Sequence, residues 1–208
     1  MERLLFLSDA VFAIVMTLLA LDLHAPSGRN DADLVAGLHA MSSDLRTFAI
    51  TFALVGVFWM AHAVALRALA QFDWVVAAVN LVFLFTITLT PFASSLVGRF
   101  GDQGDAWRLY CLEFMAISVA QIALLVVSHR DEPRILREEH HGRLWFRVAR
   151  ASTPGVAFAI GLGLSLAGYP RPASFCWVLT PPLMLLLRWI GSDRRSLPQA
   201  NPASSGAD

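Results

Sequence analysis

Asp9, His62 and Asn80 lie inside long apolar runs. A carboxylate, an imidazole and an amide are costly to hold at membrane depth, so each is a candidate functional group. Together they admit two kinds of chemistry. One is a hydrogen-bonded staple that holds helices at fixed rotations. The other is a proton relay or sensor, because imidazole is the side chain that changes charge near neutral pH. Trp59 precedes His62 by three residues and shares its helical face, while Ser8 adjoins Asp9. Polar contacts between membrane helices are worth only ~0.6–2 kcal/mol each, but several that converge can fix a helix's rotation. The staple is the preferred reading of the three.

Groups at that depth need membrane-spanning helices, and the composition supplies them. Hydrophobic residues make up 56% of the 208, above the roughly 45–50% of soluble domains. A bilayer-crossing helix needs ~20 mostly apolar residues. Six stretches fit: Leu4–His24, Phe48–Leu66, Trp74–Val97, Trp107–Ser128, Thr153–Gly168 and Ala173–Ile190. The last two are the weakest, diluted by Gly161 and Gly163 or interrupted by Pro181-Pro182. Pro91 likewise reads as a helix break. Asp31–Ser43 is mildly amphipathic and reads as a short interfacial helix. The expected class is an all-α integral membrane protein, with residues 1–191 forming a six-helix domain and residues 192–208 a disordered cytoplasmic tail.

Ser8-Asp9 interrupts the first run where a signal peptide's core would be purely apolar, so that run reads as a retained span. The formal net charge is zero, so no basic face points to nucleic acid. Cys111 and Cys176 sit in apolar runs and read as small hydrophobes, not as a disulfide or metal site.

All sixteen basic residues are Arg. Cytoplasmic loops carry excess positive charge. With an inside N-terminus and six crossings, eleven Arg fall inside and five outside. The inside set includes Arg3, Arg67 and the cluster Arg130, Arg134, Arg137, Arg143, Arg147 and Arg150. Both termini are therefore expected in the cytoplasm. At 1.5 Å per residue, Asp9 lies ~9 Å from Arg3, His62 ~7–8 Å from Arg67 and Asn80 ~10 Å from Asp73. All three fall at one level, where Ser8, Trp59 and Arg3 can join them.

The first helix has a second face. Asp9 and Ile14 are about 140° apart around it. Leu18 and Leu21 share the stripe of Ile14, and Thr17 lies beside it. That stripe can face lipid, another helix or a pore axis. Periodicity does not choose among these, although lipid and helix packing are the common fates of apolar stripes. Rings of apolar side chains do gate some channels by dewetting.

The run Arg3-x-x-x-Leu7-Ser8-Asp9 followed by Val11-Phe12-Ala13-Ile14 and Thr17-Leu18-Leu19 resembles the first-helix signature of the prokaryotic transmembrane-protein-175 potassium channel family. Trp59-Met60-Ala61-His62, Asn80 and Pro91-Phe92 extend the likeness through three spans. Leu7 stands where the family has Phe. The resemblance implies six transmembrane helices without a re-entrant pore loop, and no T-V-G-Y-G-like filter is present here. It implies a homotetramer in the cell membrane whose first helices line a potassium-permeable pore. Ile14 would form the narrowest ring, with Leu18 and Leu21 as further apolar rings and Thr17 as a hydroxyl layer. Arg3, Ser8, Asp9, Trp59, His62 and Asn80 would be the polar network behind the pore helix. Monovalent cations, above all K+, would be the permeant species. No cofactor, resident metal or catalytic residue is expected.

Two rivals stand beside this reading. A proton- or ion-coupled transporter would show repeats and broken helices near the midplane; the prolines fit, but no repeat between the halves is evident. An intramembrane enzyme would need a catalytic constellation, and no Ser-His-Asp order, metal-spaced His/Glu pair or CxxC occurs. Glu113 reads as a snorkelling or helix-pairing residue. His140-His141 read as part of a solvated loop from Arg130 to Arg150, whose Arg density also suits anionic lipid.

Overall fold

The computed structural model describes residues 2–27, 30–69, 71, 73–101, 103–129, 144–169 and 175–180. Six α-helices are seen among them: α1 (Glu2–Leu21), α2 (Asp31–Ala40), α3 (Ser42–Arg67), α4 (Trp74–Phe100), α5 (Gly104–His129) and α6 (Leu144–Leu166), followed by a single 3-10 turn, Cys176–Leu179. Helices α1, α3, α4 and α5 are long and apolar enough to cross a membrane. In lipid every backbone polar group must be satisfied within the segment, and the helix does so. The twenty residues of α1 extend ~30 Å, about the thickness of the hydrocarbon core.

Helix ends follow local chemistry. The Asp73 carboxylate accepts hydrogen bonds from Val75 N at 2.6 Å and Val76 N at 3.0 Å, which starts α4. Asn30 accepts from Asp33 N at 2.8 Å and starts α2. Helix α3 carries Asp44 in its first turn and Arg67 in its last, each matched to the helix dipole. The first helix stops at Leu21, a turn short of the expected His24. Polar Asp22 and then Pro26 follow, and proline restrains the residues before it from continuing a helix.

Several expectations change in the structure. Pro91 does not end a helix, since α4 runs through it. Only the hydrogen bond to the Ile87 carbonyl is lost, and packing against neighbouring helices tolerates such a gap in a membrane. Pro154 lies inside α6 in the same way. Helix α6 also begins earlier than the expected fifth span and takes in Arg147 and Arg150, which sequence alone placed in a loop. The remainder of that loop, including Arg130–Arg143 with His140 and His141, lies outside the described residues. So do most of the sixth expected span and the tail 192–208.

Helices α1, α3 and α4 pack against one another, and the row continues from α4 to α5 and from α5 to α6. Small residues allow the closest approach, as is usual between membrane helices. A Cβ on Gly155 of α6 would stand 2.8 Å from the Ser118 Cβ of α5. The core runs through the row, from Phe12 and Val15 through Phe58 and Phe83 to Phe114 and Phe158. Phe85 of α4 and Val119 of α5 point away from it and are exposed. Apolar surface of that extent is a face for lipid or for other helices.

Candidate functional site

The buried side of α1 carries Leu4, Ser8, Phe12, Val15 and Leu19 against α3 and α4. Ser8 is 1% exposed, His62 1% and Asn80 0%. These three form one chain of hydrogen bonds across three helices. His62 Nε2 lies 2.7 Å from Asn80 Oδ1, Asn80 Nδ2 donates to Ser8 Oγ at 3.2 Å, and Ser8 Oγ donates to the Leu4 carbonyl at 2.9 Å. With the amide oxygen accepting, the ring nitrogen donates, so every link points from α3 through α4 into the backbone of α1. The imidazole is also held by ring packing. It stacks on Phe83 at 4.7 Å and 7°, and Phe12 lies tilted at 5.6 Å.

The six residues read from the sequence as one network are not all joined. Asp9 turns away from Ser8, and its Oδ1 accepts from Trp59 Nε1 at 2.9 Å. Both members of that pair are exposed. Arg3 is exposed as well, and no hydrogen bond links it to the other five. The arrangement is thus a buried triad, an exposed Asp–Trp pair beside it, and a separate arginine.

Across the helix lies an apolar face. Ile14 is 57% exposed, Leu18 41% and Leu21 72%, with Leu7 in the same row. Thr17 is exposed on this face, and its hydroxyl donates to the Ile14 carbonyl at 2.7 Å. The proton is therefore used within the helix, and the oxygen lone pairs remain free towards whatever passes the face. Two properties follow for this side of α1: an aliphatic surface without fixed ligands, and a hydroxyl oxygen turned outward as an acceptor.

A second polar junction escaped the sequence reading. Thr51 Oγ1 of α3 lies 2.8 Å from the Tyr110 hydroxyl of α5 and 3.2 Å from Ser94 Oγ of α4. All three are buried. It lies ~16 Å along α3 from His62, so α3 is pinned at two levels, to α4 at both and also to α5 at the second. Isolated hydroxyls in apolar runs usually bond their own helix backbone, as Ser118 and Ser128 do here. Nothing in the one-dimensional pattern set Thr51 apart from them.

Residues 3–91 match the family model described as endosomal/lysosomal potassium channel TMEM175. A Streptomyces collinus protein named as a potassium channel is 26% identical over 182 residues, which cover 84% of this chain and 81% of that protein. The zebrafish (Danio rerio) endosomal/lysosomal proton channel TMEM175 is 28% identical over 139 residues, or 66% of this chain. The chain spans only 26% of that vertebrate protein's length. Among solved structures, the fold is similar to the crystal structure of a lysosomal potassium-selective channel TMEM175 homolog from Chamaesiphon Minutus. The TM-score is 0.74 at 22% identity, covering 89% of this chain and 97% of that one.

Proposed function

We propose, from the match of residues 3–91 to the TMEM175 family model, that this chain is one subunit of a homotetrameric potassium-permeable channel in the cell membrane. The pore is lined by α1, and both termini are cytoplasmic. The observation that carries this reading is the division of α1 into two sides. Ser8 is locked to Asn80 on one, while Ile14, Leu18 and Leu21 are left uncovered on the other. Fourfold repetition of the uncovered side around an axis gives stacked aliphatic rings, with Ile14 the narrowest. Such a neck offers no oxygen to replace an ion's water. Potassium releases its hydration shell more readily than sodium, so the neck favours potassium, with less discrimination than a carbonyl filter. Thr17 supplies the polar layer next to the neck. Its hydroxyl proton is bound to the Ile14 carbonyl, which leaves an oxygen suited to a cation. On this reading the chain binds no cofactor and catalyses no covalent step, and K+ is its permeant ion.

The test is planar-bilayer recording of the purified protein in mixed potassium and sodium, beside the variant Ile14→Asn. The asparagine amide offers ligands at the neck, and the reversal potential moves towards that of sodium. An unchanged reversal potential removes Ile14 from the constriction. Flux that saturates and follows a proton or sodium gradient would replace the channel with a coupled transporter.

A further inference from the structure

Cys111 of α5 and Cys176, which opens the 3-10 turn, are both free thiols and both buried, at 0% and 3% exposure. They come from distant parts of the chain and meet over one glycine. A Cβ on Gly161 of α6 would stand 2.6 Å from Cys176 Sγ and 3.3 Å from Cys111 Sγ. The two sulfurs share the bare surface that this glycine provides. Among the described residues no group of three His, Cys, Asp or Glu side chains could hold a metal ion. A structural zinc site needs about four such ligands, so the pair lacks the donors for one.

We propose that Cys111 and Cys176 form a thiol–disulfide pair, which a small peroxide converts to an intramolecular disulfide tying the 3-10 turn to α5. Gly161 places no side chain between the two thiols, so nothing at that position blocks their approach to bonding distance. Their depth also suits the chemistry. Cys111 lies ~10 Å from the Gly104 end of α5, the end that the arginine distribution puts outside, where disulfides persist. One sulfur attacks the peroxide, its O–O bond breaks, and a sulfenic acid and water form. The other sulfur then attacks the sulfenic sulfur, the S–O bond breaks and a second water leaves. Two electrons pass from the sulfurs to the peroxide, and both thiol protons end in water. This chemistry does not depend on whether the chain conducts ions.

The test uses the purified full chain in detergent, reduced with a phosphine and then briefly exposed to hydrogen peroxide. After denaturation, a polymer-tagged maleimide counts the free thiols on a gel, and intact mass identifies the product. The expected result is two tags before peroxide and none after, with two hydrogen atoms lost from the mass and both tags restored by phosphine. The Cys111→Ser chain keeps its one tag through the same exposure. In Gly161→Ala the new methyl displaces the Cys176 sulfur, and disulfide formation slows several-fold. The proposal is overturned if two tags survive peroxide, or if oxygen is gained instead of hydrogen lost. It is equally overturned if disulfide-linked dimers replace the internal bond, if Cys111→Ser loses its tag as fast, or if Gly161→Ala oxidises at the parent rate. Should Gly161→Ala fail to fold, the tag count and mass of the unsubstituted chain decide.

Discussion

Ser8 and Asp9 are neighbours in the chain, yet their side chains belong to different surroundings: Ser8 meets Asn80 in the buried core, and Asp9 meets Trp59 on an exposed face. The boundary of α1's packed side runs between them. Substitutions at the two positions should therefore report on different things, and the buried triad should govern stability.

Asn80→Leu should destabilise the protein more than Ser8→Ala. The first removes the partner of His62 Nε2 and leaves a buried ring nitrogen unsatisfied, a loss of about 1–3 kcal/mol. The second leaves the Asn80 amide nitrogen without its acceptor but keeps the His62–Asn80 bond, so its cost falls at about 1 kcal/mol, the low end of that range. Thermal unfolding in one detergent ranks them. Equal midpoints would show that the triad is not a staple.

Ring packing around His62 should matter more than the Asp9–Trp59 bond. Phe83 is fully buried and stacks on the imidazole, so Phe83→Ala should cost about 3–5 kcal/mol. Trp59→Phe loses only a donor to an exposed carboxylate, with a cost below about 1 kcal/mol. A larger loss for Trp59→Phe in the same unfolding assay would contradict this account of the cluster.

Thr17→Val keeps the shape of the side chain and removes its oxygen, whereas Thr17→Ser keeps the oxygen. Potassium conductance through the reconstituted protein should fall in Thr17→Val and persist in Thr17→Ser. If the two variants conduct alike, the hydroxyl layer plays no part in permeation.

Two glycines offer a contrast that depends only on packing. Gly155→Ala puts a methyl 2.8 Å from the Ser118 Cβ and should destabilise by about 1–3 kcal/mol through overpacking. A Cβ at Gly56 meets nothing within 4 Å, so Gly56→Ala should stabilise α3 by up to about 1 kcal/mol through helix propensity. A Gly155→Ala midpoint at or above that of the parent would refute the α5–α6 contact, and a lowered midpoint for Gly56→Ala would refute the open space beside α3.

Much of the fold was legible because membrane insertion is a local sum. Each apolar side chain contributes its own transfer free energy, and the runs containing α1, α3, α4 and α5 stand out whatever surrounds them. The common level expected for Asp9, His62 and Asn80 rested on a similar reason, since a constant rise per residue turns spacing into height; it did not tell that Ser8 and not Asp9 would meet Asn80. Pro91 misled because a proline's cost depends on neighbours that the linear pattern does not show.

By itself, then, the amino-acid order determined which segments are long and apolar enough to cross a membrane and how far along each helix its polar groups sit. Only the tertiary structure decided helix rotation. It joined Ser8 to His62 through Asn80, turned Asp9 to Trp59, left Arg3 apart, and brought Thr51 to Tyr110 and Cys111 to Cys176. Height is set by rise along a single helix, whereas rotation is set by the helices packed beside it, whose shapes come from distant parts of the chain.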